Sequence, residues 1–300
     1  MGRDGIYHLH LLIGRRSKVG VQRLDIVLLI IVLAGLWADP SRAAGPLAFD
    51  TVIDTEMNGG RVFVATASFI RPDGDRLYDQ RTFTIPPDIL KTVVAAYLCV
   101  TGESARIQSD SDIPASVSVP VRCIARYRKH SLETLYHDIF RIDPERVGAA
   151  GITVKGLMSD AVNPSGQFKF SMASATVVVI YKKPEKILRR IRFFAGLSNP
   201  PPGDVYTFSF PRVSEKYQPI RLTVGGGHGI KGNATGNVLN GVTLSGRDDW
   251  DGSSGPMWDL DTYDLKKWLF DNIMKYRFGI DTILNWIYPE ILIFEEELKS

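Results

Sequence analysis

The sequence predicts an all-β protein, namely an antiparallel β-sandwich of the jelly-roll type with short peripheral helices and a helical C-terminal extension. Apolar and polar residues alternate with a period of two through most of the chain after residue 48, as they do in half-buried strands. Turn residues, and not long helical patterns, separate the successive runs, which argues against βαβ units. A hydrophobic content of 44% and a charged content of 23% are those of a globular protein.

The N-terminal segment has the features of an export signal. Basic side chains precede an uncharged apolar run at 26–38. As a helix this run would extend about 20 Å, less than the roughly 30 Å of a bilayer's hydrocarbon layer. Residues 1–43 are therefore predicted to be a signal peptide cleaved before Ala44 or, as the alternative, an uncleaved signal anchor.

The leader also accounts for the excess of positive charge. The formal net charge of the chain is +3, and residues 44–300 carry equal numbers of acidic and basic side chains. The electrostatic signature of a nucleic-acid-binding protein is therefore missing from the predicted domain.

Residues 44–300 are predicted to form a single β-sandwich domain. In YTFSF (206–210) and IRLTV (220–224), apolar side chains occupy every second position, as in a strand with one buried face. The run VVVIY (177–181) is apolar on both faces and is predicted to be central in its sheet. Asn240-Gly241 is predicted to be a tight hairpin turn. Further predicted strands are 62–70, 82–85, 92–100, 117–127, 152–157, 175–181 and 187–195.

Helical spacing is found in two regions. Leu132, Leu135, Tyr136 and Ile139 have the i, i+3, i+4, i+7 spacing of two helical turns. A helical segment is also predicted at about 264–288, where apolar residues such as Leu265, Trp268 and Leu269 mark one amphipathic face. The run EILIFEEEL (290–298) is predicted to be a closing strand.

A glycine-rich stretch after residue 224 matches the spacing of a dinucleotide-binding loop. Gly227, Gly229 and Gly232 fit G-x-G-x-x-G, but no helical pattern follows, and such a site needs a helix N-terminus to hold the phosphates. The glycines are therefore predicted to allow a close approach of backbones.

Aspartates are concentrated between residues 248 and 264. Calcium takes six to eight oxygen ligands, and the candidate ligands are Asp248, Asp249, Asp251, Asp259 and Asp261. The alternative is a solvated turn followed by a strand with Asp259 and Asp261 on its outward face. No other cofactor is predicted.

Two arginines are a candidate site for an anionic ligand. Alternation directs Arg190 and Arg192 to the face opposite Ile191, where they are predicted to form an exposed stripe for an anionic ligand, or else a solvated edge.

The sequence contains two cysteines. Cys99 and Cys123 are predicted either to form one disulfide, as export allows, or to remain free thiols.

Catalytic motifs are weak. His137 and Asp138 are residue types that could act as an acid and a base, but adjacent residues on a helix point apart, so the two would not face one substrate. The protein is therefore predicted not to be an enzyme. An exported carbohydrate-active hydrolase is the alternative.

Four segments in order resemble successive blocks of a domain family of secreted bacterial and archaeal surface proteins, which often accompanies adhesin-like modules and has no assigned activity. They are FTIPPDILKTVVAAYLCVTG, SATVVVIYKKPEKILRRIRFFAGL, VGGGHGIKGNATGNVLNGVTLS and WDLDTYDL. The resemblance covers about residues 49–265 and implies a β-sandwich displayed outside the cytoplasm. Cys99 departs from the family, which tends to have an aromatic residue nearby.

The expected function is that of an exported, non-enzymatic cell-envelope or surface protein, acting as a binding, adhesion or structural module. Its expected partner is a protein or a glycan at the cell surface, not a nucleic acid, and it would contact a membrane only through an uncleaved N-terminal segment. A membrane-tethered periplasmic scaffold is a further alternative.

Overall fold

The computed structural model describes most of the chain after residue 46. The described residues are 47–72, 77–109, 111–129, 134–159, 172–198, 205–227, 236–244, 249–254, 258–268, 274–281 and 287–299. Met1–Arg42 and Ala43–Ser300 are separate units, and all described residues belong to the second. The predicted signal segment thus lies outside them. Among the described residues, no helix has the length and apolar character needed to cross a membrane.

Strands dominate the described residues. In chain order they are Asp50–Asn58 (β1), Gly60–Ser68 (β2), Gln80–Phe83 (β3), Val93–Ser104 (β4), Ser116–Val117 (β5), Val121–Lys129 (β6), Thr134–Ile142 (β7), Ile152–Lys155 (β8), Ala173–Lys182 (β9), Leu188–Ala195 (β10), Val205–Pro211 (β11), Tyr217–Gly227 (β12), Gly236–Leu239 (β13), Val242–Thr243 (β14), Trp258–Asp264 (β15), Lys275–Asp281 (β16) and Tyr288–Leu298 (β17). The described helices are Pro87–Leu90 (α1) and a 3-10 turn at Pro144–Arg146.

The strands form four antiparallel sheets. Sheet I has the order β2-β9-β4-β7-β6, and sheet II has the order β1-β10-β17-β12-β15. Two smaller sheets accompany them: sheet III is β11-β16-β13-β14, and sheet IV is β3-β8-β5. The all-β, antiparallel class predicted from the sequence is confirmed.

Each five-stranded sheet has a hydrophobic cluster on both faces. Side chains of sheets I and II share one cluster, which contains Tyr97 and Phe193. The opposite face of sheet I packs with sheet IV, and the opposite face of sheet II packs with sheet III. A strand in the middle of such a stack must be apolar on both faces, which explains why Val177–Ile180 are all fully buried in β9, between β2 and β4.

The helix predicted around Leu135 and Ile139 is wrong, because these residues belong to strand β7. Leu135 and Ile139 face the cluster shared with sheet II, whereas Tyr136 and Phe140 face the cluster on the other side. Apolar residues on both faces of a buried strand can reproduce the spacing of an amphipathic helix.

The helical segment predicted at about 264–288 is likewise wrong where the structure describes it. Strand β16 occupies Lys275–Asp281, and Tyr276, Phe278 and Ile280 are the side chains that it buries in the cluster shared by sheets II and III. Residues 269–273 and 282–286 lie outside the described part. The closing strand is confirmed as β17, which lies between β10 and β12.

Candidate functional site

Two adjoining clefts lie beside β6, an edge strand of sheet I, and the first of them also borders β1, an edge strand of sheet II. One cleft has a volume of about 440 Å³ and is lined by residues of β1, by Tyr97 of β4, and by residues of β6 and β7. The other, of about 480 Å³, lies over the β6–β7 pair and the start of the 3-10 turn. Arg122 and Arg141 line both clefts, so the pair marks their common wall.

Strand register places these two arginines side by side. Arg122 of β6 pairs with Arg141 of β7, and Arg141 in turn lies opposite Tyr97 of β4. Like charges directly opposite each other in an antiparallel pair are destabilising. Neither guanidinium has a hydrogen bond or an ion pair with another described residue. Two cations are therefore concentrated in the common wall of the clefts, and the described lining of each cleft also includes one carboxylate.

Arg122 and Arg141 are exposed, whereas arginines that are buried elsewhere in the fold are paired with carboxylates. Arg128, Arg189 and Arg192 have side chains at most 4% exposed, and each is paired with a carboxylate, namely those of Asp138, Glu297 and Glu296. These three buried cations are thus neutralised, and the exposed Arg122–Arg141 pair has no carboxylate partner among the described residues.

Acidic and aromatic groups also line the clefts. Asp50 contributes to the first cleft and Asp143 to the second. Burial, together with the nearby carboxylate of Asp50, raises the pKa of the Tyr127 phenol. Burial also raises the pKa of Tyr97, although Arg141 acts in the opposite direction. Both tyrosines therefore remain neutral hydrogen-bonding groups beside the arginines.

A buried polar cluster lies behind Tyr127. The ring of Tyr127 stacks on His137, with centroids 5.9 Å apart and planes at 28°. Nδ1 of His137 lies 2.7 Å from Oγ1 of Thr101 and 3.1 Å from Oε2 of Glu290. All three side chains are essentially inaccessible to solvent, and burial raises the pKa of Glu290.

An irregularity in strand pairing places Glu290 in this cluster. Gly225 pairs with Ile291 and Gly226 with Pro289, so Glu290 is an extra residue without a partner in β12. Such bulges redirect a side chain. Here the carboxylate reaches β4 and β7 of the opposite sheet, where Nε2 of His137 and Oε1 of Glu290 are without hydrogen-bond partners among the described residues.

The predicted cationic stripe does not exist as an exposed surface. Arg190 and Arg192 do lie on the face of β10 opposite Ile191, but sheet III covers the part of that face that holds Arg192. Nη2 of Arg192 lies 2.7 Å from Oε2 of Glu296, and its guanidinium lies over the ring of Phe210. Arg190 pairs with Asp54 and Glu56. The alternation of polar and apolar residues predicted the correct face of β10 for both arginines. It could not predict that sheet III packs on that face.

The predicted calcium ligands are near one another but are engaged by the protein. Asp259 accepts hydrogen bonds from Ser253 Oγ and Gly252 N at 2.9 and 3.1 Å, and Asp249 accepts from the backbone N–H of Asn237 at 2.6 Å. Asp251 accepts from Ser253 N, and Asp261 accepts from the hydroxyl of Tyr263.

One carboxylate of this aspartate group has a strongly raised pKa. Burial, with the charges of Asp259 and Asp249, raises the pKa of Asp261 to about 7. Asp259 is only 2% exposed, so the alternative in which it points outward from its strand is wrong. Asp248 lies outside the described residues. Within the part of the chain that the structure describes, no three acidic, histidine or cysteine side chains have an arrangement suited to a metal, and calcium binding stays a prediction.

The two cysteines are free and cannot meet in this fold. Cys99 of β4 pairs with Ile139, and Cys123 of β6 pairs with the adjacent residue Phe140. The thiols therefore belong to opposite faces of sheet I, with β7 between their strands. Two strand spacings are about 9.5 Å, beyond the roughly 7 Å limit for the Cα atoms of a disulfide. The free-thiol alternative is the one that this geometry supports.

The glycines at the end of β12 are closely approached, as predicted, but from within a strand. A Cβ on Gly227 would lie 1.8 Å from Sδ of Met172, and one on Gly226 would lie 2.2 Å from the carbonyl oxygen of Tyr288. Gly229 and Gly232 lie outside the described residues.

His137 and Asp138 are not brought together as an acid/base pair. His137 faces sheet II, whereas Asp138 points to the other face of sheet I and forms a bidentate ion pair with Arg128. Both carry 0% exposure, so neither lines a cleft.

The Arg122–Arg141 pair was missed in the sequence because its recognition needs β7 to be a strand. The pairing of Arg122 with Arg141 also needs the register shift between Cys123 and Ala125. Comparison of the chain with protein-family models, with curated proteins and with solved structures found no match, and the resemblance to a surface-domain family stays a prediction.

Proposed function

We propose that this chain is an exported, non-enzymatic surface or cell-envelope protein whose two large sheets form a sandwich and whose edge clefts bind a glycan at the cell surface. The observation that carries the proposal is the pair Arg122 and Arg141, side by side in two adjoining clefts without a carboxylate partner among the described residues. A concave site with a few convergent polar groups is the usual form of a small-ligand site.

The surroundings of the clefts support a rigid binding site. Tyr97 packs edge-on against Phe193 with centroids 5.6 Å apart, and this contact joins the cleft wall to the cluster between sheets I and II. The ring of Tyr127 is stacked on that of His137, which is fully buried. Side chains already fixed by packing lose little freedom when a ligand binds, which favours affinity.

The placement of the titratable groups supports a binding role over the hydrolase alternative. His137 and Asp138 are buried on opposite faces of sheet I, away from both clefts. Among the described residues, each cleft is lined by a single carboxylate, Asp50 in the first and Asp143 in the second, whereas a glycosidase uses two carboxylates in one site.

The proposal is tested by filling the cleft without altering its charge. Ile124 lines the first cleft and is 38% exposed, so Ile124→Trp should occupy the space that a ligand needs. The full chain is screened against immobilised neutral and acidic surface glycans. We expect the wild type to be retained and Ile124→Trp to lose retention.

Val213→Trp is the matched control, because Val213 is 44% exposed and lines neither cleft. Retention of Ile124→Trp at the level of this control would contradict the proposal. Export is tested separately, by N-terminal sequencing of the protein recovered from cell fractions, and protein found only in the cytoplasm would contradict that part.

A further inference from the structure

We infer that the Arg122–Arg141 clefts select a saccharide that carries a single carboxylate, a uronate-type sugar. This rests on the proposed function, that the clefts bind a glycan. It adds the class of ligand, which follows from the arrangement of positive, negative and apolar groups around the clefts.

The arginine pair supplies the site for a carboxylate. Directly opposed residues of an antiparallel pair have Cβ atoms about 4.5–5.5 Å apart, so the guanidiniums of Arg122 and Arg141 can reach the same planar anion. A guanidinium matches a carboxylate with two parallel N–H donors, which makes this contact stronger than a neutral hydrogen bond. Binding one anion would also relieve the repulsion between the two cations.

The two aspartates limit the charge of the ligand. Asp50 and Asp143 stand in the clefts on either side of the arginine pair. Asp143 accepts one hydrogen bond from the backbone N–H of Glu145 through Oδ1, and the carboxylate of Asp50 lies near Tyr127. Carboxylates are good acceptors for sugar hydroxyls but repel a second anionic group. A hydroxylated ligand with one negative charge therefore fits better than a polyphosphate or an acidic peptide.

Size and apolar surface agree with a sugar. Volumes of about 440 and 480 Å³ lie at the lower end of the range for small-molecule pockets. Ile124 and Val52 give the first cleft an apolar wall, and Pro144 does so in the second. The C–H face of a pyranose ring can pack on such a wall while its hydroxyls meet the polar groups.

The test measures binding of three small probes to the full chain by isothermal titration calorimetry at low salt. The probes are glucuronate, glucose and glucose 6-phosphate. We expect glucuronate to bind at least about tenfold more tightly than glucose, since the lost contact is a charge-assisted hydrogen bond in a cleft. Glucose 6-phosphate should bind more weakly than glucuronate, because its second charge meets Asp50 or Asp143.

Two variants should separate the contributions of the charges. Arg122→Gln combined with Arg141→Gln should abolish the preference for glucuronate, whereas Asp143→Asn should improve binding of glucose 6-phosphate. Arg277→Gln is the control, because Arg277 is an exposed arginine of sheet III that lines neither cleft.

The outcomes distinguish the proposal that the clefts bind a glycan from the inference that they select a carboxylate. If glucose binds as well as glucuronate and Ile124→Trp removes both, the cleft is a glycan site but the selectivity for a carboxylate is wrong. Tightest binding of glucose 6-phosphate, or a preference for glucuronate that survives in the double arginine variant, would also overturn the inference. If no probe binds and an acidic peptide binds instead, both the inference and the glycan proposal are wrong.

Discussion

Thr101 donates its hydroxyl proton to Glu290 across the interface between sheets I and II, with an Oγ1 to Oε2 distance of 2.5 Å. The same oxygen lies 2.7 Å from Nδ1 of His137, so the hydroxyl both donates and accepts. It is the hydroxyl that ties β4 and β7 to the bulged residue of β17.

Removal of this hydroxyl is therefore expected to destabilise the fold. Thr101→Val keeps the shape of the side chain but leaves Nδ1 of His137 and Oε2 of Glu290 with one partner fewer. We expect a loss of about 1–3 kcal/mol in the free energy of unfolding, measured by chemical denaturation. Thr82→Val, at an exposed cross-strand hydroxyl pair with Thr153, should change stability by less than about 0.5 kcal/mol. Equal effects of the two substitutions would contradict the role of the buried cluster.

The aspartate group should make stability depend on pH. The pKa of Asp261 is raised to about 7 in the folded protein, above the value near 3.9 expected in the unfolded chain. The folded state therefore holds this proton more tightly, and the stabilisation present below about pH 4 is lost as the pH rises toward 7. Asp261→Asn should reduce this loss and be more stable than the wild type at pH 8. Glu295, with a pKa also near 7, should retain part of the slope. A variant whose stability falls as steeply as that of the wild type would contradict the assignment.

Calcium, if it binds the predicted aspartates, should oppose this pH dependence. A cation favours the ionised form of Asp261, so calcium should raise the melting temperature more at pH 8 than at pH 5. Chelator should remove the increase. An unchanged melting temperature at both pH values would contradict the predicted calcium site.

The two arginines of the predicted stripe should differ in their importance for stability. Arg192→Met leaves the buried carboxylate of Glu296 without its cation and is expected to cost roughly 3 kcal/mol in the free energy of unfolding. Arg190→Met removes contacts with Asp54 and Glu56, which are about a third or more exposed, and should cost less than about 1 kcal/mol. Similar losses for the two variants would show that they share one environment.

The thiols should differ in their reactivity in the folded protein. Burial raises the pKa of Cys99, and its side chain is 1% exposed, so it should resist alkylation until the chain unfolds. Cys123 is partly exposed and should react with a maleimide in the native state. Peptide mass spectrometry identifies the labelled residue. A peptide in which Cys99 is linked to Cys123 would contradict the pairing of strands β4, β7 and β6.

The sequence was sufficient for the class of fold because alternation is a local property. Two or three neighbouring residues are enough to indicate whether a strand is buried on one face or on both. Apolar residues alternate with polar ones at Phe208 and Phe210, at the edge of the stack, and they are continuous at Val177–Ile180, in its middle. The pattern failed at Leu135 and Ile139, since a strand covered on both sides has apolar residues at nearly every position and loses its period of two.

Contacts between distant segments could not be read in the same way. The burial of Arg192 depends on sheet III, whose strand β16 contributes Tyr276 from a position far along the chain from β10. The position of Glu290 depends on a single unpaired residue in the β12–β17 register. The Arg122–Arg141 pair needs the β6–β7 register, including the irregularity between Cys123 and Ala125. None of these features is encoded in a short motif.

The contact between Gly227 and Met172 has a consequence for how this sequence can vary. The thioether that directly precedes β9 fills the volume that a side chain on β12 would need. The two positions thus share one volume between opposing layers, so a larger residue at 227 needs either a shift of the Met172 side chain or a smaller residue at 172. Substitutions at these two sites are therefore expected to co-vary, although the two segments are far apart in the chain.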